Sequence, residues 1–182
     1  MRIEELRKEH VRDAVRILVL SYSNEFNAVF GDIELARELM FKYFERYTSG
    51  YVAIDDRVVG FAKVSREREI GKFLRDELGF VRGLKASLLL SFIWPRAKKD
   101  EAILDFVAVS PFRRGKGIGS ALLKRIIDDC DARKIRCVVA VDNDAAIGLL
   151  TKFGFEVRRM IDDRRVEKHF GRRRWFEMVR EL

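Results

Sequence analysis

Apolar positions along this chain repeat at spacings of two or of three to four residues, and the switches between these periods predict its elements. Residues 2–6 (RIEEL) read as a first strand, and Val11, Ala14, Val15, Leu18 and Val19 fall at helical spacing across residues 11–21. A second helix is predicted from Asp32 to Tyr47, with Asp32 as N-cap and Ile33, Leu35, Ala36, Leu39, Met40, Tyr43 and Phe44 as its apolar face. Thr48, Ser49 and Gly50 end it. Residues 51–55 (YVAID) and 58–64 (VVGFAKV) flank the polar Asp55-Asp56-Arg57, the pattern of an antiparallel hairpin.

From Arg66 to Asp100 the pattern changes: a charged start gives way to a stretch rich in leucine and aromatics with few β-branched residues, which predicts helix. Its most apolar run, Ala86 to Trp94, is too short to span a bilayer. It reads as a helix packed on the core, a lid or dimer surface, or a membrane-surface helix. Beyond it, residues 102–109 (AILDFVAV) read as a central strand, 117–130 as a helix, 136–141 (RCVVAV) as a buried strand, and 144–153 as a helix closed by Gly154. Strands 155–161 (FEVRRMI) and 173–179 (RRWFEMV) finish the chain. The expected fold is α/β (α+β): a mixed, largely antiparallel central sheet with helices on both faces, in a single domain of residues 1–182 with a helical insert at 66–100.

Charge narrows the partners without choosing one. The 37 Lys+Arg exceed the 29 Asp+Glu by 8, which favours acidic ligands but does not require nucleic acid, whose footprint needs clustered charge. Arg172-Arg173-Arg174-Trp175 resembles such a cluster, but alternation within a terminal strand sends its charges to different faces, so a solvated edge strand is expected. Cys130 and Cys137 lie on apolar stripes and read as small buried hydrophobes in a reducing compartment. No Cys or His has neighbours at metal-ligand spacing, so no metal is expected. The first ten residues lack an apolar signal core, which with the absence of a spanning stretch makes the expected location cytoplasmic. The 36% charged content, with no glutamine, resembles a thermophile's bias and says nothing about chemistry.

The chemistry concentrates in residues 109–120 (VSPFRRGKGIGS), where an apolar strand meets a short loop leading into an amphipathic helix. Gly115, Gly117 and Gly119 remove Cβ atoms where the backbone turns, so successive N–H groups can face a phosphate. The helix start adds unpaired amides and the positive end of its dipole, and Arg113, Arg114 and Lys116 add charge. The spacing is G-x-G-x-G, which matches neither the P-loop nor the Rossmann G-x-G-x-x-G; a glycine-rich helix start without a ligand is the plain alternative.

Val109-x-Pro111-x-x-Arg114-Gly115-Lys116-Gly117-Ile118-Gly119 resembles the acyl-CoA signature of the GNAT superfamily of N-acyltransferases. Asn143 with Ala146, then Lys152-Phe153-Gly154-Phe155, is similar to the family's second landmark, the helix that passes the pantetheine arm. The resemblance is specific between Ala102 and Phe155 and weak in the first fifty residues and the insert. It implies the GNAT fold, with acetyl-CoA as co-substrate: amides from Arg114 through Gly115, Lys116, Gly117, Ile118 and Gly119 to Ser120 binding the pyrophosphate, and strand amides around Val107, Ala108 and Val109 holding the pantetheine and orienting the thioester.

It also implies direct attack of a primary amine, on a small molecule or a protein; Asp105, the only carboxylate inside the apolar central strand and just before the thioester-binding amides, is the candidate to accept the amine's proton, directly or through water. Substrate contact and a purely structural role are the other readings of Asp105. Asn143 can be a helix N-cap, a cofactor contact or both, and Lys152 can reach the 3′-phosphate or be a solvated lysine. Where many family members carry a tyrosine that protonates the departing thiolate, this chain has Leu150, and Tyr22, Tyr43, Tyr47 and Tyr51 are placed by no motif. Leu150 motivates an alternative function, a CoA-binding sensor with little catalysis. A homodimer through the apolar insert is a further expectation.

Overall fold

The computed structural model describes residues 1–66 and 69–182, so residues 67 and 68 of the predicted insert lie outside the described residues. Seven strands, β1 (Arg2–Glu5), β2 (Tyr51–Asp55), β3 (Arg57–Ser65), β4 (Glu101–Val109), β5 (Lys134–Ala140), β6 (Glu156–Asp162) and β7 (Arg174–Glu181), form one sheet in the order β1-β2-β3-β4-β5-β7-β6. β4 and β5 run parallel and the other neighbouring pairs antiparallel. The first predicted helix is α1 (Val11–Ser21), followed by α2 (Ser23–Phe30) and α3 (Ile33–Arg46). Asp32 caps α3 as expected, its carboxylate accepting from the Glu34 and Leu35 amides. The insert holds two helices, α4 (Ile70–Leu78) and α5 (Phe80–Ile93), separated at Gly79. After the central strand come α6 (Ile118–Asp129), α7 (Asp144–Lys152) and α8 (Arg164–Phe170).

The sheet is covered on both faces. Phe61, Phe106 and Ala108 pack on one side with residues of α1, α3, α4 and α5, including Leu18, Phe44, Phe73 and Leu90. Ala62, Ala102 and Leu104 pack on the other with Leu122, Leu123 and Ile126 of α6. Cys137 is buried as expected, whereas Cys130 is half-buried just after α6.

Further features differ from the sequence reading. Helices α2 and α8 were not expected: α2 buries only Phe26, Val29 and Phe30, and α8 only Val166 and Phe170, too few apolar positions to reveal a period. The expected edge strand at residues 173–179 is an inner one, because β7 pairs with β5 on one side and β6 on the other. Burial explains the insertion: β7 sinks Trp175, Met178 and Val179 into the core, while β6 has no buried residue and takes the edge. Arg172 and Arg173 precede the strand and are paired with carboxylates, Arg172 with Glu25 and Asp142, Arg173 with Asp162.

The seam between β4 and β5 creates the site. Pairing is confined to Glu101, Ala102 and Ile103 against Lys134, Ile135 and Arg136, and the strands then separate. The closed end is fastened by the buried Arg136, which reaches Glu101 at 3.0 Å and Glu177 of β7 at 3.1 Å. Against the opposing effect of burial, the Lys98 amide, Lys134 and Arg136 together hold the Glu101 carboxyl below the ordinary range. Removing one member of such a buried pair costs about 3–5 kcal/mol.

Candidate active site

Strand β4 carries a bulge that flips its pattern. Lys63 pairs with Phe106 and Val64 with Leu104, leaving Asp105 as the extra residue. Strict alternation would put Leu104 and Phe106 on one face; they lie on opposite faces, and Val107 and Val109 turn to the α6 side. Beyond Ile103 this edge of β4 has no strand partner. The Val107 N–H donates instead to the Tyr22 hydroxyl at 3.4 Å.

Between the separated strands runs a groove of about 800 Å³ that ends at the start of α6. Gly115 and Gly117 take positive φ, +75° and +77°, which L side chains adopt only with strain. The first hydrogen bond of α6 runs from the Ala121 amide to the Gly117 carbonyl, so the amides of residues 118–120 have no partner within the helix. Leu149 lies 3.3 Å from where a Cβ on Gly119 would stand, so that glycine serves close packing of α6 on α7. The arrangement suits a diphosphate: backbone donors at a helix N-terminus with the Arg114 guanidinium beside them. Farther along, the buried Ser21 hydroxyl, with no hydrogen-bond partner among the described residues, lines the same groove.

A second cavity, about 420 Å³, lies across β4 and shares Asp105, Phe106 and Trp94 with the groove. Its walls come from α3 (Met40, Tyr43, Phe44), β3 (Lys63, Ser65) and the segment after α5 (Trp94, Pro95). Asp105 accepts a hydrogen bond from the Ser65 hydroxyl at 3.0 Å. Lys63, only 5% exposed, donates to the Tyr43 hydroxyl at 3.2 Å and lies 5.0 and 5.4 Å from the ring centres of Tyr43 and Phe44. Burial holds its ammonium below the ordinary lysine range, and the carboxylates of Asp105 and Glu69 oppose that shift.

Of the residues singled out in the sequence, Asp105, Val107, Val109, Arg114, Gly115, Gly117, Ile118, Gly119, Ser120, Asn143 and Lys152 all line the groove. Ala108 and Lys116 do not: the Ala108 side chain is buried on the opposite face, and Lys116 is exposed on the loop. Asn143 caps α7, its side-chain oxygen accepting from the Ala146 amide at 3.2 Å. Leu150 is buried beside the groove. Among the described residues no group of His, Cys, Asp and Glu is arranged to hold a metal ion, and no helix is long and apolar enough to cross a membrane.

Two residues at the site carry no motif. Tyr22 follows the last turn of α1, packs edge-on to Phe106 at 6.2 Å between ring centres, and reaches Val107 across 85 positions of sequence. Desolvation pushes its phenol well above the ordinary value. Lys63 left one trace, as the sole charged residue in the otherwise apolar run 58–64.

A model of the acetyltransferase (GNAT) family matches residues 14–155. An acetyltransferase of Pectobacterium atrosepticum is 38% identical over 69 residues, 32% of this chain and 49% of that protein, so the match spans about half the length of that relative. An N-acetyltransferase structure from Staphylococcus aureus Mu50 superposes with a TM-score of 0.73 at 18% identity, covering 99% of this chain and 100% of that one. A phosphinothricin acetyltransferase from Sinorhizobium meliloti, solved with AcCoA, gives 0.66 at 19% identity over 100% of this chain and 88% of that one. At these identities the structures share a fold with this chain.

Proposed function

The chain belongs to the acetyltransferase (GNAT) family, and we propose that it moves an acetyl group from acetyl-CoA to a primary amine by direct attack. The observation that carries this reading is the meeting of groove and cavity at Asp105 on the β4 bulge, which sets a carboxylate between a diphosphate-binding channel and a separate compartment. The groove fits the co-substrate: amides of residues 115–120 and Arg114 would hold the pyrophosphate, Val107 and Val109 the pantetheine, and Asn143 and Lys152 the flanks of the nucleotide arm. Ala108 takes part only through its backbone, and Lys116 only through its charge.

Acetyl-CoA, when bound, supplies an acetyl thioester. Asp105 then receives the proton of the incoming amine. The Tyr22 hydroxyl, which accepts from the Val107 N–H, keeps its own proton to offer the carbonyl oxygen as negative charge grows there, and a fixed donor lowers the barrier. A phenol raised by desolvation stays protonated at neutral pH and serves better as hydrogen-bond donor than as acid. With Leu150 apolar, the proton for the thiolate comes from water in the groove. The alternative of a CoA sensor gains no support from the family match or from the carboxylate at the junction.

The 1–182 chain acting as one unit is supported by its continuous sheet. A homodimer has in its favour the exposed Phe80, Val81 and Leu88 of α5. A cytoplasmic setting agrees with the two free cysteines. The test is calorimetry with CoA followed by thiol release from acetyl-CoA over a panel of amines. Micromolar CoA binding with turnover is expected. Protein that binds no CoA sinks the proposal, and CoA binding without turnover on any amine restores the sensor.

A further inference from the structure

Among the described residues, the cavity beyond Asp105 is lined by four charged side chains, Lys63, Arg66, Arg96 and Asp105, set among apolar ones. Met40, Phe44, Ile70, Trp94 and Phe106 supply apolar wall, and from the sheet floor Lys63 and Asp105 face the same space. Of the other cations at its walls, Arg66 is already paired with Asp131 at 3.0 Å and Arg96 is exposed to solvent. Among the described residues lining it, Lys63 is the cation that burial desolvates, with the Tyr43 hydroxyl and two ring faces beside it. A buried ammonium is stable only with a counter-charge; the carboxylates of Asp105 and Glu69 act on Lys63, and Asp105 does so only while it is ionised.

If Asp105 receives the amine's proton, as the proposed reaction requires, its negative charge disappears and Lys63 loses part of its compensation. An acceptor that is a simple cationic amine makes this worse, since it brings a second positive charge into the chamber. An acceptor carrying its own carboxylate restores the balance. It enters as a zwitterion, ammonium toward Asp105⁻ and carboxylate toward Lys63⁺. After the proton passes from nitrogen to Asp105, the neutral amine attacks while carboxylate and Lys63 remain paired. The nitrogen lone pair forms the new N–C bond, the C–S bond breaks with its electrons on sulfur, and the amine's second proton leaves through water.

We infer that the acceptor is a small zwitterionic amine, an amino group joined to a carboxylate by a short, partly apolar skeleton, with the amine at Asp105 and the carboxylate at Lys63. A volume of about 420 Å³ suits a molecule of amino-acid size. The inference rests on the reading of the groove as the CoA side and the cavity as the acceptor side.

Matched pairs test it. Leucine against leucinamide, and phenylalanine against phenylalaninamide, differ only in the charge at the carboxyl end; a peptide with a free N-terminus represents the protein acceptor. The free amino acids should exceed the amides about 10- to 100-fold in kcat/KM, and Lys63→Met should abolish that preference mainly through KM, while Lys63→Arg retains part of it. Calorimetry of N-acetyl-leucine against N-acetyl-leucinamide reads the same preference without turnover. Amides or peptides acetylated as well as the amino acids, or a Lys63→Met enzyme that keeps the preference, overturns the inference. Should Lys63→Met fail to fold, the wild-type pairs and the product calorimetry decide alone. CoA binding, measured in parallel, separates failure here from failure of the acetyltransferase reading.

Discussion

The groove and the cavity that meet at Asp105 are built of different material. The groove presents backbone: amides at the start of α6, a loop turned by two left-handed glycines, and a strand edge left without a partner by the separation of β4 from β5. The cavity presents side chains drawn from α3, β3, α4, the segment after α5 and β4, spread from Met40 to Phe106. A site made of amides needs glycines at fixed spacing in one short stretch and tolerates variety elsewhere. A site made of side chains needs distant residues to converge and can change its ligand by single substitutions. The first holds a constant group, the second sets the choice of partner.

The carboxylate at the junction should give the largest effect. Asp105→Asn removes the proton acceptor while keeping size and the Ser65 hydrogen bond, so kcat/KM at neutral pH is expected to fall about 10²- to 10⁴-fold. CoA affinity should change little, because the groove binds through backbone. Steady-state kinetics with calorimetry checks both. A purely structural Asp105 would instead lower the melting temperature and leave kcat nearly intact.

Tyr22→Phe comes next. It removes the hydroxyl that accepts from the Val107 amide and offers its own proton to the carbonyl oxygen, and kcat should drop about 10- to 100-fold with the KM for acetyl-CoA nearly unchanged. If Tyr22 merely blocks the amide when no ligand is bound, the phenylalanine variant would bind CoA more tightly and turn over no more slowly.

Gly117→Val asks whether the groove truly depends on backbone. A Cβ there meets no heavy atom within 4 Å, so its damage is conformational, the strain of a β-branched residue at φ +77°. That strain, about 1–2 kcal/mol, predicts roughly tenfold weaker CoA binding. Gly117→Asn, which accepts the left-handed region, should recover most of the loss. Equal losses in both variants would point to side-chain volume and away from backbone shape.

The same contrast decides what was legible in the sequence. The glycine loop, the Asp32 cap, the bounds of α1 and the hairpin about Asp56 are local, and a period or a cap residue marks each one. The face swap at Asp105 was hidden, because a bulge is a property of two paired strands and alternation counted along one strand predicts the opposite face for Phe106. Tyr22 was hidden because its partner lies 85 residues away. The inner place of β7 was hidden because its arginines suggested an exposed edge, whereas Trp175 and Met178 decide the packing. Lys63 was readable as an oddity, a charge inside an apolar strand, without its neighbours to give it meaning.

The smallest effect concerns the cost of that oddity. Lys63 has a folded pKa below its unfolded one because burial outweighs the carboxylates of Asp105 and Glu69. From the depressed value up to the ordinary 10.5, the unfolded chain binds more protons at this residue than the folded one. Stability from Lys63 therefore rises with pH through that window, and below it the ammonium is charged in both states and its desolvation is borne in full. Lys63→Met removes the contribution. Urea unfolding of both proteins from pH 7 to about pH 10 should give a wild-type minus variant difference that grows more favourable as pH rises. A difference that shrinks instead would mean that the carboxylates outweigh burial and that the cavity stabilises the ammonium without an acceptor, which removes the charge imbalance a zwitterion would correct.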